Sequence, residues 1–199
     1  MAGAFPISNA QFESLGIKSI KNTIISKSVS GKKLARQIDG QRWGFTAKVI
    51  TAKRSDVYGE LMAFIVKQRS GKENFTIIPP EVEDARGTAS GTPNGTASAG
   101  DTSITLGGTG TGTLKAGDFI KFASHDKVYM VVADQSDIST GSLTIEPPLT
   151  TTVSSTDIQY DNVPFTVHLT NDIQEFGVVG ADKDGNALYQ FEFDVEESL

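Results

Sequence analysis

The sequence predicts an all-β protein carrying a single helix. Three observations carry this reading. Residues 41–51 and 188–195 alternate apolar and polar side chains, the period of a strand with one buried face. Glycine occurs 20 times in 199 residues, among abundant Ser and Thr, which suits short strands joined by many turns. Only 55–69 shows helical periodicity.

Along the chain, residues 17–27 are rich in isoleucine and read as a strand. Ser30-Gly31 marks a turn, 32–39 a second and very polar strand, and Asp39-Gly40 a hairpin-type turn. In 41–51, Trp43, Phe45, Ala47 and Val49 fall on one face. The helix of 55–69 takes Ser55 as N-cap, Asp56 and Glu60 near its positive end, and Gly71 as C-cap. Val57, Leu61, Phe64 and Ile65 share its apolar face. A short strand at 74–78 ends at Pro79-Pro80. Residues 81–100 then lose nearly all apolar content and read as a linker or long loop.

A second β region follows, with strands at 102–106, 119–122, 127–133 and 142–145, closed by Pro147-Pro148 and a Thr/Ser run at 150–156. Strands at 163–170, 175–179 and 188–195 complete the chain. The last buries Tyr189, Phe191, Phe193 and Val195. Two linker-like stretches thus bracket a block of β structure, the pattern of an insertion within a host formed by both chain ends. One helix and roughly ten strands argue for barrels or sandwiches.

Cysteine is absent, which removes disulfides, thiolate metal sites and cysteine nucleophiles. The start lacks the basic and apolar regions of a signal peptide, and no apolar run reaches bilayer-spanning length; synthesis in the cytoplasm is the expectation. The net charge of −6 is segregated. Residues 1–72 hold 13 Lys and Arg against 4 acids, and residues 73–199 hold 5 against 20. The halves either neutralise each other within one monomer, or a basic face of one copy meets an acidic face of the next. Nucleic-acid recognition is disfavoured, because the basic segment has few interleaved aromatics.

No motif for catalysis or for a cofactor emerges. Ser124-His125-Asp126 contains triad residue types, but adjacent residues align poorly as nucleophile, base and orienter, and a surface turn is expected. The segment 182–186 has its glycine at the wrong offset for a calcium loop and reads as a hairpin turn. Residues 107–118 are glycine-rich without the Gly-Lys-Ser/Thr ending of a phosphate loop. Glu81, Glu83 and Asp84 read as a solvated acidic face.

Three patches together resemble a known family. They are Gln41-Arg42-Trp43-Gly44-Phe45 with the helix ending at Arg69; Phe75-Thr76-Ile77-Ile78-Pro79-Pro80 with Arg86-Gly87; and the stretch from Leu114 to Phe122 with Lys127-Val128-Tyr129-Met130-Val131. Val163-Pro164-Phe165-Thr166-Val167 and a closing alternating strand follow. This order is similar to distal tail proteins of long-tailed bacteriophages, from about residue 30 onward. The resemblance implies an all-β fold with one helix: a belt-type β-barrel from residues 1–86 and 161–199, with a small β-barrel or sandwich, OB-like, inserted at 87–160. It implies a non-enzymatic virion protein without cofactor or metal. Its copies form a ring, commonly a hexamer, joining tail tube to hub and anchoring receptor-binding proteins, while DNA passes the lumen without specific binding. A tube or tail completion protein is a neighbouring reading. A carbohydrate-binding module is a different one, which would need Phe119, Phe122, Tyr129 or Tyr160 exposed for stacking. No site residues carry over from the family. The polar strand suggests its own candidate subunit interface, Lys32, Lys33 and Arg36, docking on an acidic surface of the adjacent copy.

Overall fold

The computed structural model describes residues 3–6, 11–37, 40–80 and 82–199. Fourteen strands and one α-helix are present among them. The first strands are β1 (Phe12–Ile20), β2 (Thr23–Lys27), β3 (Lys33–Gln37), β4 (Arg42–Lys53) and β5 (Phe75–Ile77). Helix α1 (Gly59–Lys67) lies between β4 and β5. Then come β6 (Pro93–Ala97), β7 (Ser103–Gly108), β8 (Phe119–Phe122), β9 (Val128–Val131), β10 (Ser142–Glu146) and β11 (Val153–Gln159). The chain finishes with β12 (Phe165–Leu169), β13 (Phe176–Ala181) and β14 (Ala187–Glu197).

Both chain ends build one six-stranded sheet in the order β1-β4-β14-β12-β5, with β13 paired to β14. Its inner face follows the alternation of the sequence: Trp43, Phe45, Ala47 and Val49 on β4, and Phe191, Phe193 and Val195 on β14, are all buried. Leu61 and Ile65 of α1 are buried against this face, with Val57 and Phe64 partly buried beside them. Ala4 bridges to Thr76 at the β5 side. The closed barrel is the other unit, running β10-β7-β6-β11-β8-β9. Closure leaves no free sheet edge there.

Several expectations are corrected. Residues 17–27 are not one strand, because β1 begins upstream and ends at Ile20 before β2 starts at Thr23. The stretch 81–100 is not all linker, since β6 lies within it and forms a barrel wall. Its inward positions are Pro93 and Gly95, so hydropathy gives no strand signal. A Cβ on Gly95 would lie 2.7 Å from Ile104 Cγ2 and 2.8 Å from Phe122 Cε1; only glycine lets the wall approach the core so closely. The Thr/Ser run at 150–156 likewise leads into β11 rather than a linker. Ser55 does not cap the helix; its hydroxyl bonds Asp56, and a wide π-type turn over Arg54–Tyr58 precedes α1. Gly71 is not the left-handed cap either. Arg69 and Ser70 take the positive φ, and Gly71 is instead where the chain crosses Leu169, whose carbonyl oxygen a Cβ would meet at 2.5 Å. The Ser30-Gly31 turn forms, with Gly31 donating to the Ser28 carbonyl at 2.8 Å. The Asp39-Gly40 turn includes Asp39, which lies outside the described residues.

Replacing Gly95 with valine is expected to cost about 1–3 kcal/mol by overpacking. Urea unfolding measures it, and an unchanged midpoint would mean that the wall yields at no cost.

Candidate assembly site

The residues that carry chemical types make closed local networks rather than a reactive centre. His125 Nδ1 lies 3.0 Å from Ser124 Oγ and Nε2 lies 2.8 Å from Tyr129 Oη, while Asp126 pairs with Lys121. The carboxylate therefore does not orient the imidazole, and the triad geometry is missing. Burial pushes the His125 imidazole below its ordinary value. Asp182 accepts from the backbone N–H groups of Asp184 and Asn186, both at 2.9 Å, and pairs with Lys53 at 2.5 Å. It clasps the β13–β14 turn. Among the described residues no three His, Cys, Asp or Glu side chains are grouped to hold a metal. Of the acidic cluster, Asp84 accepts from the Asn162 backbone, and Glu81 lies outside the described residues. Phe119, Phe122, Tyr129 and Tyr160 are all buried, which removes them as a stacking platform for sugars. No helix among the described residues is long and apolar enough to cross a membrane.

The most elaborate polar cluster lies where barrel meets sheet, and sequence reasoning missed it. The inward parity of β14 runs Phe191, Phe193, Val195 and then Glu197; Gln41, immediately before β4, has the parity of Trp43 and is buried like it. Glu197 and Lys127 are buried, at 1% and 2% exposure, with 2.5 Å between Nζ and Oε2. Gln41 Oε1 accepts from the same ammonium at 3.0 Å. Glu197 also accepts the backbone N–H groups of Trp43 at 3.1 Å and Val128 at 2.8 Å. The Trp43 indole donates to the Val128 carbonyl at 2.9 Å and packs edge-on against Phe119, with ring centres 5.0 Å apart. Burial pushes the Lys127 ammonium below its ordinary value, while Glu197 pulls it up. The signal that could have found the cluster is a carboxylate continuing an apolar face.

The barrel strands β8 and β9 are buried on both sides for this reason. Ile120, Phe122, Tyr129 and Val131 fill the barrel, whereas Phe119 and Val128 join the sheet's core. The second and third patches of the sequence also meet. The buried Asp118 carboxylate accepts from the Arg86 backbone and Nε, each at 3.1 Å, and from Lys115 N at 2.7 Å.

The predicted interface residues lie on a projection. Among the described residues β2 and β3 pair only with each other as a two-stranded sheet, and every residue of theirs with a described side chain is exposed. Cross-strand partners share a face. Ile24 opposes Arg36 and Ser26 opposes Leu34 on one side; Lys27 opposes Lys33 and Ile25 opposes Ala35 on the other. The structure therefore does not gather Lys32, Lys33 and Arg36 into one patch. Lys33 and Arg36 point to opposite sides, and Lys32 follows the turn, its N–H bonded to Ser28 Oγ at 3.1 Å. Among the described residues no acidic side chain pairs with any of the three. Ile24 and Ile25, each 57% exposed, add apolar surface to this basic arm.

Residues 83–163 match the model of a family described as distal tail protein pb9, B domain. The match spans the whole barrel and supports a phage distal tail protein, with a structural role in the tail. No curated protein matches the chain.

Two outcomes are expected. Lys127→Met strands the Glu197 carboxylate and should cost about 3–5 kcal/mol. Adding Glu197→Gln should recover part of that loss, because the stranded charge is gone; urea unfolding of both variants decides, and a double variant less stable than the single would refute the account. At the β13–β14 turn, hydrogen bonding from Lys53 first, then from Asn186, holds the Asp182 carboxyl well below the usual range. Its folded-state value is below the unfolded one, so its stabilisation is present above about pH 4 and fades as pH falls further. Amide exchange at Asn186 should stay slow down to that pH, and Asp182→Asn should abolish the acid dependence.

Proposed function

We propose that this distal tail protein assembles with copies of itself into a hexameric ring at the tail tip, joining the tail tube to the central hub. The carrying observation is the family match of the barrel. The belt is formed by residues 1–86 and 161–199, and the inserted unit by 87–160, which projects to meet receptor-binding proteins. DNA passes the lumen without specific binding, and the excess of acids after residue 73 suits a wall that repels phosphate. No step of bond chemistry is required for this role.

The exposed arm supports self-assembly. A monomer gains nothing by holding isoleucines and unpaired cations in water, whereas a neighbour could cover both. Lys32, Lys33 and Arg36 are the candidate contact residues.

Light scattering of the purified chain over a salt series tests the reading. A discrete ring mass at low salt, falling as salt rises, is the expected result. Charge reversal at Lys32, Lys33 and Arg36 should lower that mass while leaving the circular dichroism spectrum and melting unchanged. A persistent monomer at all concentrations and salts, with no assembly on tail tubes, would refute it.

A further inference from the structure

Resting on the self-assembly reading, we propose that the β2–β3 arm of one copy seats in a specific groove of the next, on the outer face of β13, β14 and β4. The groove encloses about 320 Å³ and is lined by Ile173, Glu175, Val179, Gln190, Glu192 and Lys48 among others. Its character is the complement of the arm's. Ile173 is 87% exposed and Val179 54% exposed. Glu175 and Glu192 are exposed and carry no hydrogen bond or ion pair among the described residues. Lys48, the cation at this groove, is already occupied by Glu13 at 3.0 Å, and Gln190 bonds the same carboxylate at 2.9 Å. The groove therefore presents uncompensated negative charge beside bare aliphatic surface, and the arm presents uncompensated positive charge beside the same.

Position adds a second argument. The arm leaves the sheet where Ile20 pairs with Arg42, and Lys48 lies six residues further along β4, about 20 Å away. Within its own copy every described side chain of β2 and β3 is exposed. Donor and acceptor surfaces are thus different patches of one molecule, and such contacts are heterologous: they build head-to-tail series that close when the rotation allows. Among the described residues β13 pairs only with β14, so its outer edge is free of them.

Because the chain contains no cysteine, a designed crosslink reads the contact directly. The full-length double variant Leu34→Cys/Val179→Cys is oxidised and run without reductant. Joined copies are expected as a ladder, while either single variant should stop at dimers. Charge reversal provides the companion test. Glu175→Lys/Glu192→Lys should lose assembly, as should Lys33→Glu/Arg36→Glu, and combining all four in one chain should restore it. A ring that forms in wild type but ignores the Glu175 and Glu192 changes and gives no ladder would overturn the groove assignment and leave the ring standing. An open-ended ladder without a discrete ring mass would uphold the contact and sink the ring. Neither assembly nor ladder at high protein concentration would overturn both.

Discussion

Lys127, just before β9 of the barrel, and Glu197, in β14 of the open sheet, are 70 residues apart in sequence, yet their charges meet with almost no water access. Two ions removed from water are costly, and their attraction compensates only when every remaining polar atom is bonded. Here that condition is met from both sides: backbone amides of Trp43 and Val128 serve the carboxylate, and Gln41 serves the ammonium. Such a pair contributes orientation more than net stability. A rotated barrel would leave a buried charge unpaired, so one docking pose is selected over neighbouring ones. The Trp43–Phe119–Phe165–Phe45 series of edge-on rings extends the same junction into the sheet's core.

Charge segregation along the chain acquires two separate meanings in three dimensions. Part of the basic half is neutralised by the acidic half, through Lys18–Asp194, Arg42–Glu196 and Lys53–Asp182, where the two chain ends lie side by side on the outer face of the sheet and at its β13–β14 turn. These exposed pairs contribute little individually. Of the cations without an ion pair among the described residues, Lys27, Lys32, Lys33 and Arg36 lie on the β2–β3 arm, and Arg54, Lys67, Arg69 and Lys72 lie at the helix and its flanking turns. Intramolecular neutralisation therefore accounts for part of the basic half only, and the arm's cations lie outside it.

What the sequence made legible depended on whether a side chain reported its own environment. The inner faces of β4 and β14 were legible because Trp43, Phe45, Phe191 and Phe193 are large and alternate. β6 was not, because its inward positions are proline and glycine, chosen for closeness rather than hydrophobicity. The helix was found but its start was misjudged: Ser55 is the right residue type for a cap, yet a wide turn already occupies its position. The junction stayed hidden because a buried Lys, Glu or Gln looks like any solvated one until its partner is known. The arm was anticipated as a polar strand beside a neighbour, but not as a free ribbon with cations on both faces.

The connectors decide how the barrel can act. Glycine- and serine-rich composition around 87–100 suggests a loose tether, but the entering and leaving segments are clasped together. Val163 N bonds the Glu83 carbonyl at 3.1 Å, Asn162 N bonds Asp84 at 3.0 Å, and Asp118 holds Arg86. With two strands adjoining a common core and a buried ion pair at the seam, the barrel has no hinge of its own. A freely swinging module would contribute reach; a fixed one contributes geometry. Repeated around a ring, a fixed barrel would set partner proteins at constant radius and angle, which is what a connecting element needs and what a flexible binding module would not supply.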